Sequence, residues 1–421
     1  MTMVLTAAIA IATLVAVLTR PRGYSEGVWA LAGGLLMLAT GRIGPAETLD
    51  ALRGISGVVV FLFGLFWLSL VASRAGLIER AAQLTTRMAG GNSHRLLFAV
   101  FALGTVITAL LSNDATVMLV TPVVLHACRT LRLPPLPFLF ACTFVADTAS
   151  SLLPVSNPIN VLFAEQLDIS FERHVLLLAL PTILAVLVNA GIVHLIFRKQ
   201  IPRSFDPSEL LRNPRRLRGA DWLVLVGLVS VAVGYVVGAV TGIAVYWITL
   251  TGGLTLGLMA LLGRRVTARE LVRSQPPALY AFVAGLAIVV AAADEAGLLN
   301  VLGSAVARAS AAPELAGVLA LTFGTAFGTN LVNNWTMALA IVPSLARDES
   351  SELLVMGALL GADIGPNLSV VGSLATLIWL TEVRREGLAV SARTYLGLGI
   401  VSTVPALFVA VLALWLLHSL A

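Results

Sequence analysis

The chain is short of charge, nearly devoid of lysine and almost free of cysteine, and each shortage excludes something. Only 12% of its 421 residues are Asp, Glu, Lys or Arg, while 58% are hydrophobic and the mean hydropathy is +0.95. No water-soluble domain of this length could cover its surface with so few polar side chains. The composition specifies an integral membrane protein. The alternating pattern of an outer-membrane barrel is missing, so helices are the structure that satisfies the backbone in lipid. Lys199 is the only lysine, and no GxxxxGK[ST] surrounds it. That excludes a phosphate-binding nucleotide loop in this chain, whose lysine must reach the phosphates. Two cysteines, Cys128 and Cys142, lie in apolar sequence and read as small core residues, although count alone leaves a disulfide open. His126 beside Cys128 falls short of a metal site, and no resident metal or other cofactor is implied. HExxH is also absent, which argues against a membrane-embedded zinc hydrolase.

What is present is a succession of apolar windows. They fall at about 2–19, 24–40, 54–73, 96–131, 136–164 and 174–197, and again at 221–241, 243–263, 277–297, 314–346, 352–380 and 392–419. Between the sets lies the basic segment 198–220, which the positive-inside rule places in the cytoplasm. The net charge of +5 comes from arginines in short loops, a topology signal rather than a nucleic-acid patch. The first window lacks a basic leader and is followed by Arg20 and Arg22, so it reads as a retained span and not as a secretory signal.

Windows 96–131 and 314–346 are too long for one helix, and polar residues interrupt each: Ser112, Asn113 and Asp114 in one, Asn333 and Asn334 in the other. Each reads as a re-entrant hairpin. Five crossings then remain per half, and an odd number makes the halves run in opposite senses, with both termini on the outer side. The expected fold is all-α and polytopic: inverted repeats at 1–197 and 221–421 joined by the linker, each with a re-entrant hairpin and a broken helix. Most arginines then share the linker's side; Arg42 and Arg53 are the main exceptions, offset by Glu47 and Asp50.

The halves correspond at a spacing near 220 residues. Asn113 stands nine residues before Pro122, and Asn334 nine before Pro343; Asp147 stands ten before Asn157, and Asp363 ten before Ser373. Weak internal symmetry of this kind is what inverted repeats leave in a sequence. Helices broken at membrane depth expose backbone groups that are tolerable only against a cavity or buried in protein. Pro154, Ser156, Asn157, Pro158 and Asn160 supply one break; Gly365, Pro366, Asn367, Gly372 and Ser373 supply the other. Half-helix ends would then aim partial charges at a site near the midplane. Asn113, Ser156, Asn157, Asn333, Asn334, Gly372 and Ser373 are the candidate substrate-binding residues. Asp114, Asp147 and Asp363 are the candidate proton-coupling groups, because a carboxylate at the bilayer centre costs about 2.5 to 3.5 kcal/mol and needs a partner or a role. Capping of a half-helix is the plainer alternative for Asp147 and Asp363; the asparagines could equally join helices. Asp114 has no counterpart, since Trp335 stands in its place.

In the stretches SNDATVMLVTP (112–122), FVADTASSLLPVSNPINVLF (144–163), LVNNWTMALAIVP (331–343) and GADIGPNLSVVGSLATLIWL (361–380) the chain resembles the arsenite/antimonite efflux pumps, the ArsB family of the ion transporter superfamily. The resemblance covers essentially the whole chain. It departs in the third stretch, where many relatives have a proline soon after the paired asparagines and this chain has Trp335 and Thr336. The resemblance implies extrusion of trivalent arsenic and antimony hydroxides in exchange for protons across a prokaryotic inner membrane. It also implies a possible soluble ATPase partner on the cytoplasmic face. The residues are compatible: arsenite near neutral pH is an uncharged triol that wants hydroxyl and amide partners, which the candidate site has, and no cationic clamp. A trithiolate site is impossible with two cysteines. The alternatives are a sodium/proton antiporter or a sodium-coupled dicarboxylate carrier of the same superfamily. The second is disfavoured because its serine-asparagine-threonine signatures read Ser112-Asn113-Asp114 and Ser156-Asn157-Pro158 here.

Overall fold

A computed structural model describes residues 2–212 and 219–420; residues 213–218 of the expected basic linker lie outside them. Among the described residues there is no strand beyond one antiparallel bridge between Asn92 and Ser204. Eight described helices are long and apolar enough to cross a membrane by length and composition, and two more are apolar but shorter.

The described helices come twice in one order. Thr2–Thr19, Glu26–Ala39 and Ser56–Arg74 precede an amphipathic helix, Leu77–Ala89; Gly219–Thr241, Val245–Leu262 and Pro277–Glu295 precede another, Asn300–Ala311. Four labelled helices then follow in each half. In the first they are α1 (Ser93–Leu110), α2 (Asn113–Thr130), α3 (Pro135–Thr148) and α4 (Pro158–Gln166). In the second they are α5 (Glu314–Val332), α6 (Asn334–Arg347), α7 (Glu352–Ile364) and α8 (Leu374–Arg385). Each half closes with a long helix carrying an internal proline, Phe171–Phe197 with Pro181 and Ala392–Leu420 with Pro405. The amphipathic helices fall outside the apolar windows for a simple reason. Leu77–Ala89 buries Ile78, Ala82, Thr86 and Ala89 on one stripe while Glu79, Arg80 and Arg87 interrupt the run, so an averaged hydropathy conceals it.

Helices of the two halves cross. Glu26–Ala39 packs against Pro277–Glu295, and Ser56–Arg74 against Val245–Leu262. Backbones touch at the second crossing: a Cβ on Gly64 would sit 2.4 Å from the Thr249 carbonyl oxygen, and one on Gly253 would sit 2.4 Å from that of Gly64. Such contact replaces the hydrophobic drive that lipid cannot supply between helices. The two long closing helices also pack together, and Ser402 donates to Asn189 Oδ1 at 2.5 Å between them.

The described ion pairs sort into two sets. Arg20–Glu26, Arg74–Glu270, Arg129–Glu386, Arg265–Asp221 and Arg385–Glu382 involve arginines that the sequence reading expects on the linker's side. Arg53–Asp50, Arg173–Glu352 and Arg347–Asp294 involve residues expected on the other. None joins the two.

Candidate functional site

Four half-helices begin at the polar interruptions, and each is capped by a Ser or Asn side chain. Ser112 Oγ accepts the Ala115 N–H at 3.1 Å to start α2, and Asn157 Oδ1 accepts that of Ile159 at 3.3 Å to start α4. Asn333 Oδ1 accepts the Thr336 N–H at 3.0 Å for α6, and Ser373 Oγ that of Thr376 at 3.0 Å for α8. A capping oxygen satisfies one of the free N–H groups of a first turn, and the helix dipole leaves partial positive charge there. The backbone between helices is correspondingly irregular. Short 3-10 turns at Ala149–Ser151, Pro154–Ser156 and Gly365–Leu368 carry the chain through the breaks, and Asn333 takes a positive φ of 66° between α5 and α6.

Hydrogen bonds bring these four starts together. Asp147, near the end of α3, accepts from Asn113 Nδ2 at 3.3 Å, from Ser373 Oγ at 3.0 Å and from Thr376 Oγ1 at 3.1 Å. Asp363, near the end of α7, accepts from Asn157 Nδ2 at 2.8 Å. The arrangement is reciprocal: each half's carboxylate holds the capping residue of the other half's broken helix. The second hairpin joins through backbone, with the Asn334 N–H on the Gly372 carbonyl at 2.9 Å. Gly372 cannot be larger, since a Cβ there would lie 2.5 Å from the Pro366 carbonyl oxygen.

Not every expected residue faces its neighbours across the breaks. Ser156 is fully buried, and its oxygen accepts the N–H of Leu153 at 3.2 Å, holding its own turn. Asn333 spends its side-chain oxygen on the α6 cap, also within 3.4 Å of the Thr336 hydroxyl. Other polar atoms are left over. Asn334 Oδ1 and Asp363 Oδ2 are shielded from solvent with no hydrogen-bond partner, as are Asn330 Oδ1 and Asn367 Oδ1 beside the second break. Each such acceptor costs on the order of 1 to 3 kcal/mol if left unpaired. Among the described residues, no Arg or Lys is buried.

Asp114 is different. Its carboxylate takes no hydrogen bond or ion pair from a described residue; only its backbone N–H is engaged, by Asn113 Oδ1 at 2.9 Å. It is 7% exposed and lines a cavity of about 600 Å3 that runs from Ser112 and Asp114 past Met118 and Leu377 to Arg20, Arg273 and Arg385. Those arginines are among the ones that the sequence reading expects on the linker's side. The cavity is walled chiefly by apolar side chains, with the carboxylate at its inner end.

A sequence model of the family described as Arsenical pump membrane protein matches residues 5–418. The chain belongs to that family. Arsenical pump membrane proteins of Escherichia coli K12 and of Yersinia enterocolitica are each 30% identical to it, over 98% of this chain and 98% of theirs. A putative arsenical pump membrane protein of Bacillus subtilis is 21% identical over 91% of the chain and 92% of its own length. Among solved structures, the Alcanivorax borkumensis YdaH transporter superposes with a TM-score of 0.59 at 15% identity, over 89% of this chain and 87% of that one. Neisseria gonorrhoeae MtrF gives 0.56 at 14%, over 98% and 94%. The fold of this family member is thus a transporter fold.

Several residues of the site in this arsenical pump relative lay outside the sequence reading. Thr376 shares Asp147 with Ser373, and the only signal was its place three residues after a capping serine. Asn189, which was not singled out, donates to the Thr148 hydroxyl at 2.5 Å, and Asn367, expected only as a break residue, donates through Nδ2 to the same hydroxyl and to the Phe144 carbonyl, both at 3.0 Å. Asn330 ties α5 to the second break through the Gly365 carbonyl at 2.8 Å. Cys128 and Cys142 are buried and free.

Proposed function

We propose that the protein is a secondary exporter of arsenite and antimonite in the prokaryotic inner membrane, driven by proton exchange. Alternating access would operate around the place where the four capped half-helices meet. The observation that carries the reading is the combination of a reciprocal, cation-free hydrogen-bonding centre with one unpaired carboxylate at the inner end of a cavity. A neutral triol presents three O–H donors, and the centre holds buried acceptors without partners, Asn334 Oδ1 and Asp363 Oδ2 among them. Asn113, Asn157 and Ser373 supply donors that can turn to the substrate oxygens. Such bonds are individually modest, which suits a site that must release what it captures.

Exporting a neutral solute uphill requires a coupled ion, and a carboxylate that alternates between ionised and protonated forms provides the link. Asp114 takes that role first. The cavity connects it to the arginine-rich side, which the positive-inside rule assigns to the cytoplasm. In this arrangement Asp114 gives its proton to the cytoplasm and the ionised site loads arsenite; after the change of access it is protonated from outside and the substrate leaves. Asp147 shares Asn113 with it and Asp363 answers from the other half, so both shape the binding geometry as the carboxylate changes charge. The matching order of helices supports two inverted repeats, 1–197 and 221–421, with the linker cytoplasmic and both termini outside. A soluble ATPase would meet the protein on the arginine-rich face.

Everted membrane vesicles test the reading. Arsenite accumulation under an imposed proton gradient, without sodium or ATP, is expected and is expected to stop on adding an uncoupler. Sodium-dependent proton movement with no arsenite accumulation would reassign the chain to the antiporters of the superfamily.

A further inference from the structure

Away from that centre, the chain leaving Phe171–Phe197 returns along the start of α1. Phe205 N–H donates to the Gly91 carbonyl at 2.8 Å, and Ser93 N–H donates to that of Arg203 at 3.3 Å. This return borders a shallow, open pocket of about 570 Å3 whose lining includes His94, Arg95, His194, Arg198, Lys199 and Arg203, with no acidic residue. None of the four cationic side chains takes part in an ion pair among the described residues. The two imidazoles meet edge to face with centroids 5.0 Å apart, and each has its Nδ1 shielded from solvent without a hydrogen-bond partner. The next carboxylate along the chain, Asp206, accepts the Ser208 N–H at 2.9 Å and serves its own turn.

The pocket's surroundings are as informative as its charge. It sits at the ends of two membrane-spanning helices on the arginine-rich side, and Phe98, 42% exposed, forms part of its wall with its ring 5.3 Å from that of His194. Leu195 and Ile196, next to His194, are exposed as well. Concentrated positive charge thus gives way to bare apolar surface that continues into the membrane. A soluble anion would use the cations and gain nothing from the apolar wall; an amphiphile uses both.

We propose that this pocket binds the phosphodiester headgroup of an anionic membrane phospholipid, its acyl chains lying along Phe98, Leu195 and Ile196. Arg95, Arg198 and Arg203 offer forked donors to phosphate oxygens, Lys199 a point charge, and the imidazoles further N–H donors. The site is independent of the transport reading.

Native mass spectrometry of the purified full-length protein with added phosphatidylglycerol or phosphatidylcholine tests this. Wild type is expected to hold phosphatidylglycerol at least about tenfold more tightly, and the triple variant Arg198→Gln, Lys199→Gln, Arg203→Gln to lose that preference, each cation near an anionic surface being worth roughly fivefold. A control removing the same charge elsewhere on that face, Arg132→Gln, Arg264→Gln, Arg269→Gln, should keep the preference. Phe98→Ser should weaken phosphatidylglycerol binding with all the charges in place. Equal binding by wild type and the pocket triple, or equal loss in pocket triple and control, would overturn the site. Displacement of the lipid by inorganic phosphate at matched concentration, with Phe98→Ser unaffected, would replace the lipid by a soluble anion and overturn the proposal.

Discussion

The two hairpins share arms, a side-chain cap and the spacing to a proline nine residues on, yet Ser112 caps one and Asn333 the other, and the residue after the common asparagine differs more. After Asn113 stands Asp114, an unpaired carboxylate against a cavity; after Asn334 stands Trp335, 3% exposed and packed in the hydrophobic core. The same holds more weakly at the breaks, where Asp147 gathers three donors from two other elements and Asp363 accepts from Asn157. Duplicated architecture therefore carries unduplicated chemistry. The matching order of helices supplies matched helix ends, and under the proposed function the carboxylate at one tip gives the pair a direction.

The comparison can be broken most sharply at the tips. Asp114→Asn removes the charge with hardly any change of volume; proton-driven arsenite accumulation in vesicles should fall to background while gel filtration shows an unaltered folded peak. Retained accumulation would mean that the first tip is not the coupling element. Trp335→Ala should leave coupling intact but cost about 3 to 5 kcal/mol of stability as a large buried side chain is deleted, seen as a lower unfolding temperature in detergent. A neutral Trp335→Ala would show that the second tip is not scaffold. Asp147→Ala strips the acceptor from Asn113, Ser373 and Thr376 and should destabilise by roughly 3 kcal/mol; Asp363→Ala, which strips it from Asn157, should cost less, about 1 to 2 kcal/mol. Reversal of that order in matched denaturation series would contradict the asymmetry of the breaks. Smallest of all, Arg129→Ala removes an exposed pair between the foot of α2 and Glu386, and should shift stability by less than about 1 kcal/mol.

Much of this was legible in the sequence because polar residues in an apolar run have few alternatives. Ser112, Asn157, Asn333 and Ser373 fall where half-helices begin, since the run must be interrupted at a residue able to cap the next helix. The partnerships were not legible. Asp147 with Ser373 and Asp363 with Asn157 depend on how two halves more than 200 residues apart in the chain approach each other, and no local pattern encodes that. A lone polar residue inside a long apolar helix, such as Asn189, gave no sign of a partner. Ser156 was legible as a break residue, but the direction of its hydroxyl was not, because a 3-10 turn offers it a backbone N–H closer than anything across the break.

The reciprocal clamp also bears on how the protein is made. Asp147 and Ser373 are separated by 226 residues, so the carboxylate is synthesised long before its principal donors exist. At bacterial elongation rates of roughly 5 to 20 residues per second, that wait lasts on the order of ten to forty seconds. Through that interval the nascent first half holds an incompletely paired acid at membrane depth, and it is relieved only when the ribosome has delivered α8. The bond that orders the mature centre is, during biogenesis, among the late joints to close.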